Sequence, residues 1–394
     1  MLFGFDEKFQ TIFLFIFTLL IFFVVPSTYL NIKGGKLEKI YSKSLLKDGR
    51  FWVVCIVYFV IFGFRYNYLQ DWSQYVRYYE YIQSGGENNG WREPGFYIFV
   101  KMLTILGFNY YAMFVIECFM WIFSICYLFK DNRKYLVWVL PFVFVTSTNL
   151  ALVISRQFFA MSFLLLAYRD YWDGKNLRAL IFACIAPMLH FSAVIWVPVF
   201  YFLKKIEFVK PVWMVAAFLV ITVSSSVFFD ILASSAESIT VLFNLFFDSA
   251  VYDVSTLDSL QSETTGANLR QMLTLSITRG IYIYSYYYFR KRGFLSNPIM
   301  NNIALIGSLA IIVDLLLGYN MIFSRFATYI RIFYDIGWGI FSYMAFVRIK
   351  AASTTSKILI FLAMFYMFGS FFLGLGGRKA EVSDVNPFLI YEIK

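Results

Sequence analysis

Residues 11–25 read Thr11-Ile12-Phe13-Leu14-Phe15-Ile16-Phe17-Thr18-Leu19-Leu20-Ile21-Phe22-Phe23-Val24-Val25, without a single charge. As a helix this run covers most of a hydrocarbon core about 30 Å thick, which takes roughly 20 apolar residues to cross. Lys33, Lys36 and Lys39 follow it with no small-residue cleavage site, so it reads as a retained span and not as a removable signal peptide. Comparable apolar segments recur as far as Gly376. The 394 residues are 60% hydrophobic and 15% charged, against about half and a quarter in soluble domains, so the solvent for most of the surface is lipid. Backbone groups in lipid must be satisfied internally, and these continuous runs lack the alternation of barrel strands. The expected fold is therefore all-α: a polytopic transmembrane bundle of about 11 to 13 membrane helices, several short or re-entrant, in one integral membrane domain over 1–394.

Helices are expected near 10–30, 50–64, 94–107, 110–129, 135–149, 151–168, 177–189, 190–203, 211–231, 271–289, 299–318, 325–347 and 357–375. Several are too short to cross unaided, which points to broken or re-entrant helices around a polar, outward-facing cavity. The net charge of +10 comes from short basic tracts between apolar runs and not from one basic face, which argues against nucleic acid as a partner. Those tracts set the topology. Lys33 to Arg50, Arg290-Lys291-Arg292, and Arg348, Lys350 and Lys357 belong on the cytoplasmic side, leaving 65–93 and 232–270 as external loops. Counting every short helix as a crossing would put Lys130, Arg133, Lys134, Lys204 and Lys205 outside. Treating 94–107 as re-entrant from outside and 177–203 as a hairpin from inside returns them to the cytoplasm, and leaves Arg156 and His190 near the outer mouth. A weak amphipathic run near 239–247 is expected on the membrane surface or over the cavity.

Polar side chains inside these apolar runs are the candidates for chemistry. After the second span come Arg65, Asp71, Tyr75, Tyr78 and Tyr79; a helix from Asp71 would place a carboxylate and tyrosine rings on one broad face, which suits a sugar. An aromatic belt at the headgroup level would look the same. Glu93-Pro94-Gly95 starts a helix, where Glu93 serves either as a cap or as a site carboxylate. Arg156-Gln157 sits within an apolar run, and an intramembrane arginine normally faces a cavity, a partner or a ligand. His190, the only histidine, follows Pro187 between two short helices and reads equally as a functional or a hydrogen-bonded structural residue. Arg325, Tyr329 and Arg331 begin a late helix, and the two arginines could grip phosphate oxygens bidentately. Asp314 and Asp335, also embedded, could pair with arginines.

Cys55, Cys118, Cys126 and Cys184 stand singly, at no metal or redox spacing. There is no phosphate loop, no dinucleotide fingerprint, no zinc motif and no Asp-x-Asp pair, so a cytosolic nucleotide-sugar site has no support. In their order along the chain, Arg65, Asp71, Tyr75, Tyr79, Glu93-Pro94-Gly95, Arg156-Gln157, His190-Phe191-Ser192, Ser324-Arg325, Tyr329 and the tail Asp384-Val385-Asn386-Pro387 resemble the EpsG family, whose members look like Wzy-type polysaccharide polymerases. The resemblance covers most of the chain and leaves out 232–270. It implies an enzyme of the bacterial inner membrane. This enzyme would transfer a growing glycan from undecaprenyl pyrophosphate to the non-reducing end of a new lipid-linked repeat unit, at the periplasmic face.

That chemistry needs cations for the departing pyrophosphate and a base for the acceptor hydroxyl. Arg65, Arg156, Arg325 and Arg331 are candidates for the first, and His190 or Asp71 for the second, with Glu93 as a further carboxylate. Tyr75, Tyr79, Gln157 and Tyr329 complete the expected substrate contacts. No metal or cofactor is required. The expected partners are the lipid-linked oligosaccharide, membrane lipids, and a flippase and chain-length regulator of the same pathway. Three other classes stay open: a flippase of lipid-linked sugars, a glycosyltransferase using polyprenyl-phosphate sugars, and a membrane acyltransferase. In a background lacking the four native cysteines, a cysteine at position 43 should be shielded from a membrane-impermeant thiol reagent added outside, and one at 253 should react. The opposite labelling pattern would invert this topology.

Overall fold

The computed structural model describes residues 7–30, 44–66, 71–87, 93–205, 210–234, 269–317, 321–347 and isolated positions between 354 and 366. The helix expected at 357–375 lies largely outside them, as do the run at 239–247 and the tail motif. Among the described residues every regular element is helical. They are α1 (Glu7–Ser27), α2 (Gly49–Tyr58), α3 (Trp72–Gln83), α4 (Pro94–Ile105), α5 (Tyr110–Leu128), α6 (Leu136–Val153), α7 (Ser155–Trp172), α8 (Asn176–Leu189), α9 (Trp196–Lys205), α10 (Pro211–Ser234), α11 (Leu269–Lys291), α12 (Pro298–Leu317) and α13 (Met321–Val347). Tyr110–Leu128, Arg133–Val153 and Pro298–Leu316 are long and apolar enough to cross a membrane, and several shorter apolar helices accompany them. The chain is a multi-pass membrane protein. It divides into two compact units, one of residues 1–205 with 338–394, the other of 206–337.

In the first unit one end is fixed by charge. Asp48 caps α2 by accepting from the Arg50 amide, and its Oδ2 also accepts from Tyr29 Oη (2.7 Å) and from Arg133 Nη1 (2.8 Å). Arg133 is 1% exposed, so this carboxylate is the counterion that lets it stay out of water. Beside it, Lys130 pairs with Asp173, Arg169 with Asp131 and Asp173, and Arg178 with Asp170. Lys204 Nζ donates to the Tyr171 carbonyl at 2.8 Å. The basic stretches 44–50, 130–134 and 204–205 thus share one end of the unit.

The chain reaches the other end through α2, which closes in a wide π-helical turn over Phe59–Gly63, and through α6. A Cβ on Gly63 would lie 2.7 Å from Val115 Cα, so α2 can approach α5 this closely only with glycine there. The 12 residues of α4 do not carry the chain across. They follow Glu93, and just beyond their end the Phe108 carbonyl accepts from Tyr79 Oη (2.6 Å), on a helix that also stacks on α4 through Tyr78 and Phe96. α5 then starts from the same end, with Tyr110 against Trp72 and Tyr111 against Phe64, and runs to the basic end. α8 returns from the basic end to His190, and α9 goes back to Lys204.

The segment after Asp71 takes the helix that the sequence raised, α3, whose buried face is Trp72, Tyr75, Val76, Tyr79 and Ile82. One detail differs from the sequence reading. The α6–α7 break falls at Ile154 (φ −97°, ψ 54°) and not near residue 150, which puts Arg156 in the first turn of α7. In the second unit, α11 and α12 are tied by an Arg279–Asp314 ion pair, the kind of pairing expected for Asp314. Tyr282 lies against Gly307 and Gly337, its hydroxyl occupying the space where their Cβ atoms would be.

Replacing Asp48 with Asn removes the carboxylate that pairs with the buried Arg133 guanidinium. It should destabilise the detergent-solubilised protein by about 3 kcal/mol or more, read as a lowered Tm. Lys47→Ala, at an exposed neighbour, should leave Tm within error.

Candidate functional site

At the end of the first unit opposite the basic cluster, three segments far apart in sequence meet on one carboxylate. Glu93 precedes Pro94 at the start of α4, and its side chain makes no capping bond to that helix. Glu93 Oε2 accepts from Arg156 Nη1 at 2.8 Å. Its Oε1 is bonded to His190 Nδ1 and also accepts from the Phe191 amide at 3.3 Å. The capping role therefore gives way to a bridge between a cation and an imidazole.

Local sequence explains how each partner arrives. Pro94 suits the first helical turn, where its missing N–H costs nothing. Gly95 lets α4 approach the end of α8: a Cβ there would lie 2.7 Å from Met188 Cβ and 3.0 Å from Met188 backbone atoms. Pro187 lies inside the last turn of α8, and His190 leaves the helix in extended conformation (φ −151°, ψ 115°) before the short 3₁₀ turn Phe191–Ile195. Arg156 sits at the N-terminus of α7, where the helix dipole disfavours a cation, so the Glu93 charge offsets both dipole and burial.

Aromatic rings enclose the cation. The Arg156 guanidinium carbon lies 5.4 Å from the Tyr75 ring centroid and 5.5 Å from that of Phe96, and Tyr78 stacks on Phe96. The side chains of Arg156 and His190 are 26% and 25% exposed and that of Glu93 only 12%, so the carboxylate is covered while cation and imidazole can be reached. Burial pushes the Glu93 pKa up, but the hydrogen bond to His190 and the charge of Arg156, with the Phe191 amide, more than offset it. Glu93 thus titrates below the ordinary carboxylate range. The stabilisation it lends is complete at neutral pH and is lost only as pH falls through that depressed value.

The other sequence candidates are placed differently. Arg65 is 1% exposed. Its guanidinium donates to the carbonyls of Phe62 (3.1 Å) and Leu152 (3.3 Å) and to Cys118 Sγ (3.7 Å), and it stacks over Phe114. It locks the end of α2 to α5 and α6 and does not face a substrate space. Tyr79 is spent on the Phe108 carbonyl, so the tyrosines beside the cation are Tyr75 and Tyr78. Gln157 is buried in the first turn of α7. Asp71 starts α3, and no contact among the described residues ties it to Glu93, Arg156 or His190. Arg325, Tyr329 and Arg331 belong to the second unit; Tyr329 is buried, Arg331 is exposed and the Arg325 side chain lies outside the described residues.

Sequence reading passed over Glu117, a buried glutamate inside the apolar helix α5, within electrostatic reach of Arg65, Arg156 and Ser155. The signal was present, since an acid at the middle of a span is a functional candidate by default. Among the described residues no group of three or more His, Cys, Asp or Glu side chains is arranged to hold a metal ion.

No curated protein and no solved structure matches the chain. A family profile described as the EpsG family matches residues 50–379, which span every segment of this site, and the chain belongs to that family of Wzy-like, polysaccharide-polymerase-type membrane proteins.

Proposed function

We propose that the chain is a polysaccharide polymerase of the bacterial inner membrane. It transfers a growing glycan from undecaprenyl pyrophosphate to the non-reducing end of a new lipid-linked repeat unit at the periplasmic face. The observation that carries this reading is the single carboxylate of Glu93 held between Arg156 and His190. A carboxylate on Nδ1 keeps the proton of a neutral imidazole there and leaves Nε2 as the basic nitrogen, the arrangement of a general base with an orienting acid.

The acceptor hydroxyl gives its proton to His190 Nε2 as its oxygen bonds to the anomeric carbon of the donor. The bond from that carbon to the pyrophosphate oxygen breaks, and the electron pair leaves with the lipid pyrophosphate. Arg156 stabilises the charge developing there, and Glu93 stabilises the imidazolium that forms. Tyr75 and Tyr78 supply ring faces for sugar stacking beside the cation. Asp71, the alternative base, has no comparable orienting contact with Arg156 or His190 among the described residues.

The deciding experiment gives purified protein lipid-linked repeat units and no energy source. A ladder of products is expected, and none would form if the protein only moved the lipid across the membrane. In that assay His190→Gln, which keeps a hydrogen bond but not the base, should slow chain growth about 10²-fold or more while donor binding persists. A folded Gln variant making long polymer near the wild-type rate removes the base role. Arg156→Lys keeps the charge and loses the planar fork, so polymerisation should fall at least tenfold.

Gly95→Ala tests geometry without touching a charged group. The added methyl forces α4 away from Met188, which should separate Glu93 from His190, lower Tm and cost on the order of 10²-fold in rate. Full activity in this variant would show that the close approach of α4 to α8 does not set the site.

A further inference from the structure

The basic end of the first unit contains a cavity of about 450 Å³ that the polymerase reading does not use. Its apolar wall is formed by Phe123 of α5, Leu166 of α7 and Phe182 of α8. Its charged lining is Lys130, Arg133, Lys175 and Arg178 with one carboxylate, Asp131. The ion pairs around it join six cations (Arg50, Lys130, Arg133, Arg169, Lys175 and Arg178) to four carboxylates (Asp48, Asp131, Asp170 and Asp173). Among the described residues the network therefore has two more cations than carboxylates.

The cations are not equivalent. Arg133 and Arg169 are 1% and 5% exposed and committed to the fold, whereas Lys175 and Arg178 are about half exposed at the mouth, with side-chain values of 49% and 48%. Lys175 makes the longest of these ion pairs, 3.7 Å to Asp173. A surplus of positive charge beside an aromatic and aliphatic wall matches an anion that carries its own apolar chain, and basic pockets between membrane helices are suited to lipid head groups. A simple inorganic anion would leave the apolar wall uncovered.

We propose that this cavity binds an anionic glycerophospholipid, its phosphate between Lys175 and Arg178 and the start of an acyl chain against Phe123, Leu166 and Phe182. The site lies at the end of α7 and α8 away from Arg156 and His190, so occupancy would clamp the α7–α8 hairpin without entering the reaction.

The test uses the full chain in detergent, titrated with phosphatidylglycerol, with phosphatidylcholine, or with inorganic phosphate, and follows Tm alongside native mass spectrometry of bound lipid. Phosphatidylglycerol should raise Tm saturably and be retained as a bound adduct, and added salt should weaken it. Phosphatidylcholine and inorganic phosphate should do neither. Lys175→Gln leaves the buried pairs intact and should weaken phosphatidylglycerol binding several-fold, with Lys175→Arg close to wild type. An equal response to phosphatidylcholine, a full response to inorganic phosphate alone, or unaltered phosphatidylglycerol binding by Lys175→Gln would each overturn the proposal.

Discussion

A charge held in hydrocarbon must meet an opposite charge, and the first unit obeys that rule at both ends of the α7–α8 hairpin. At one end the side chain of Asp170 is fully buried and meets Arg178 across the turn between the helices. At the other, Arg156 and His190 share Glu93. Removing one partner from such a pair typically costs a few kcal/mol, because the remaining charge stays buried and uncompensated. The hairpin is thus strapped twice, and the second strap comes from a different segment. Because Glu93 leads into α4, that short helix is bound to the α7–α8 pair, and the site exists only where that binding occurs.

Much of this architecture is legible in the sequence because lipid leaves few choices. Apolar runs must be helices, and α5, α6 and α12 stand close to where their hydropathy puts them. The short helices were legible by length, and the way their ends return to a common side followed from keeping lysines and arginines together. α3 was less visible: its tyrosine-rich face alternates with polar residues, and a helix lying against others reads in sequence like a polar loop. The site was legible in part. Arg156 and His190 stood out as polar residues among apolar ones, but nothing in the spacing of residues 93, 156 and 190 says that they converge. Arg65 gave the same signal as Arg156 and plays a packing role, since an arginine near the end of an apolar run looks alike whether it holds carbonyls or faces a ligand. Glu117 stands alone in its apolar helix, with no neighbouring polar residue in sequence to mark it.

One carboxylate shared by a cation and a base sets a compromise. Negative charge on Glu93 holds the imidazole through Nδ1 and meets the charge that forms on the ring as the proton is transferred. The same charge lowers the net positive potential that Arg156 offers to a departing pyrophosphate. The geometry limits the conflict, because the two oxygens are divided: Oε2 takes Arg156, and Oε1 takes His190 and the Phe191 amide. Arg156 contributes by the direction of its fork as much as by its charge, which is why a lysine is a poor substitute there.

The break at His190 follows from the same carboxylate. A helix interrupted inside a packed protein leaves backbone amides without their helical acceptors, and such a break survives only where something else accepts from them. Here the Phe191 amide, the first beyond the extended His190, donates to Glu93 Oε1. The group that orients the imidazole therefore also satisfies the backbone whose distortion delivers it. Pro187 weakens the last turn of α8, Gly95 admits Glu93 to the gap, and the carboxylate closes it. Remove the carboxylate and the loss is not only electrostatic, since the interrupted backbone at Phe191 loses its acceptor in the same step.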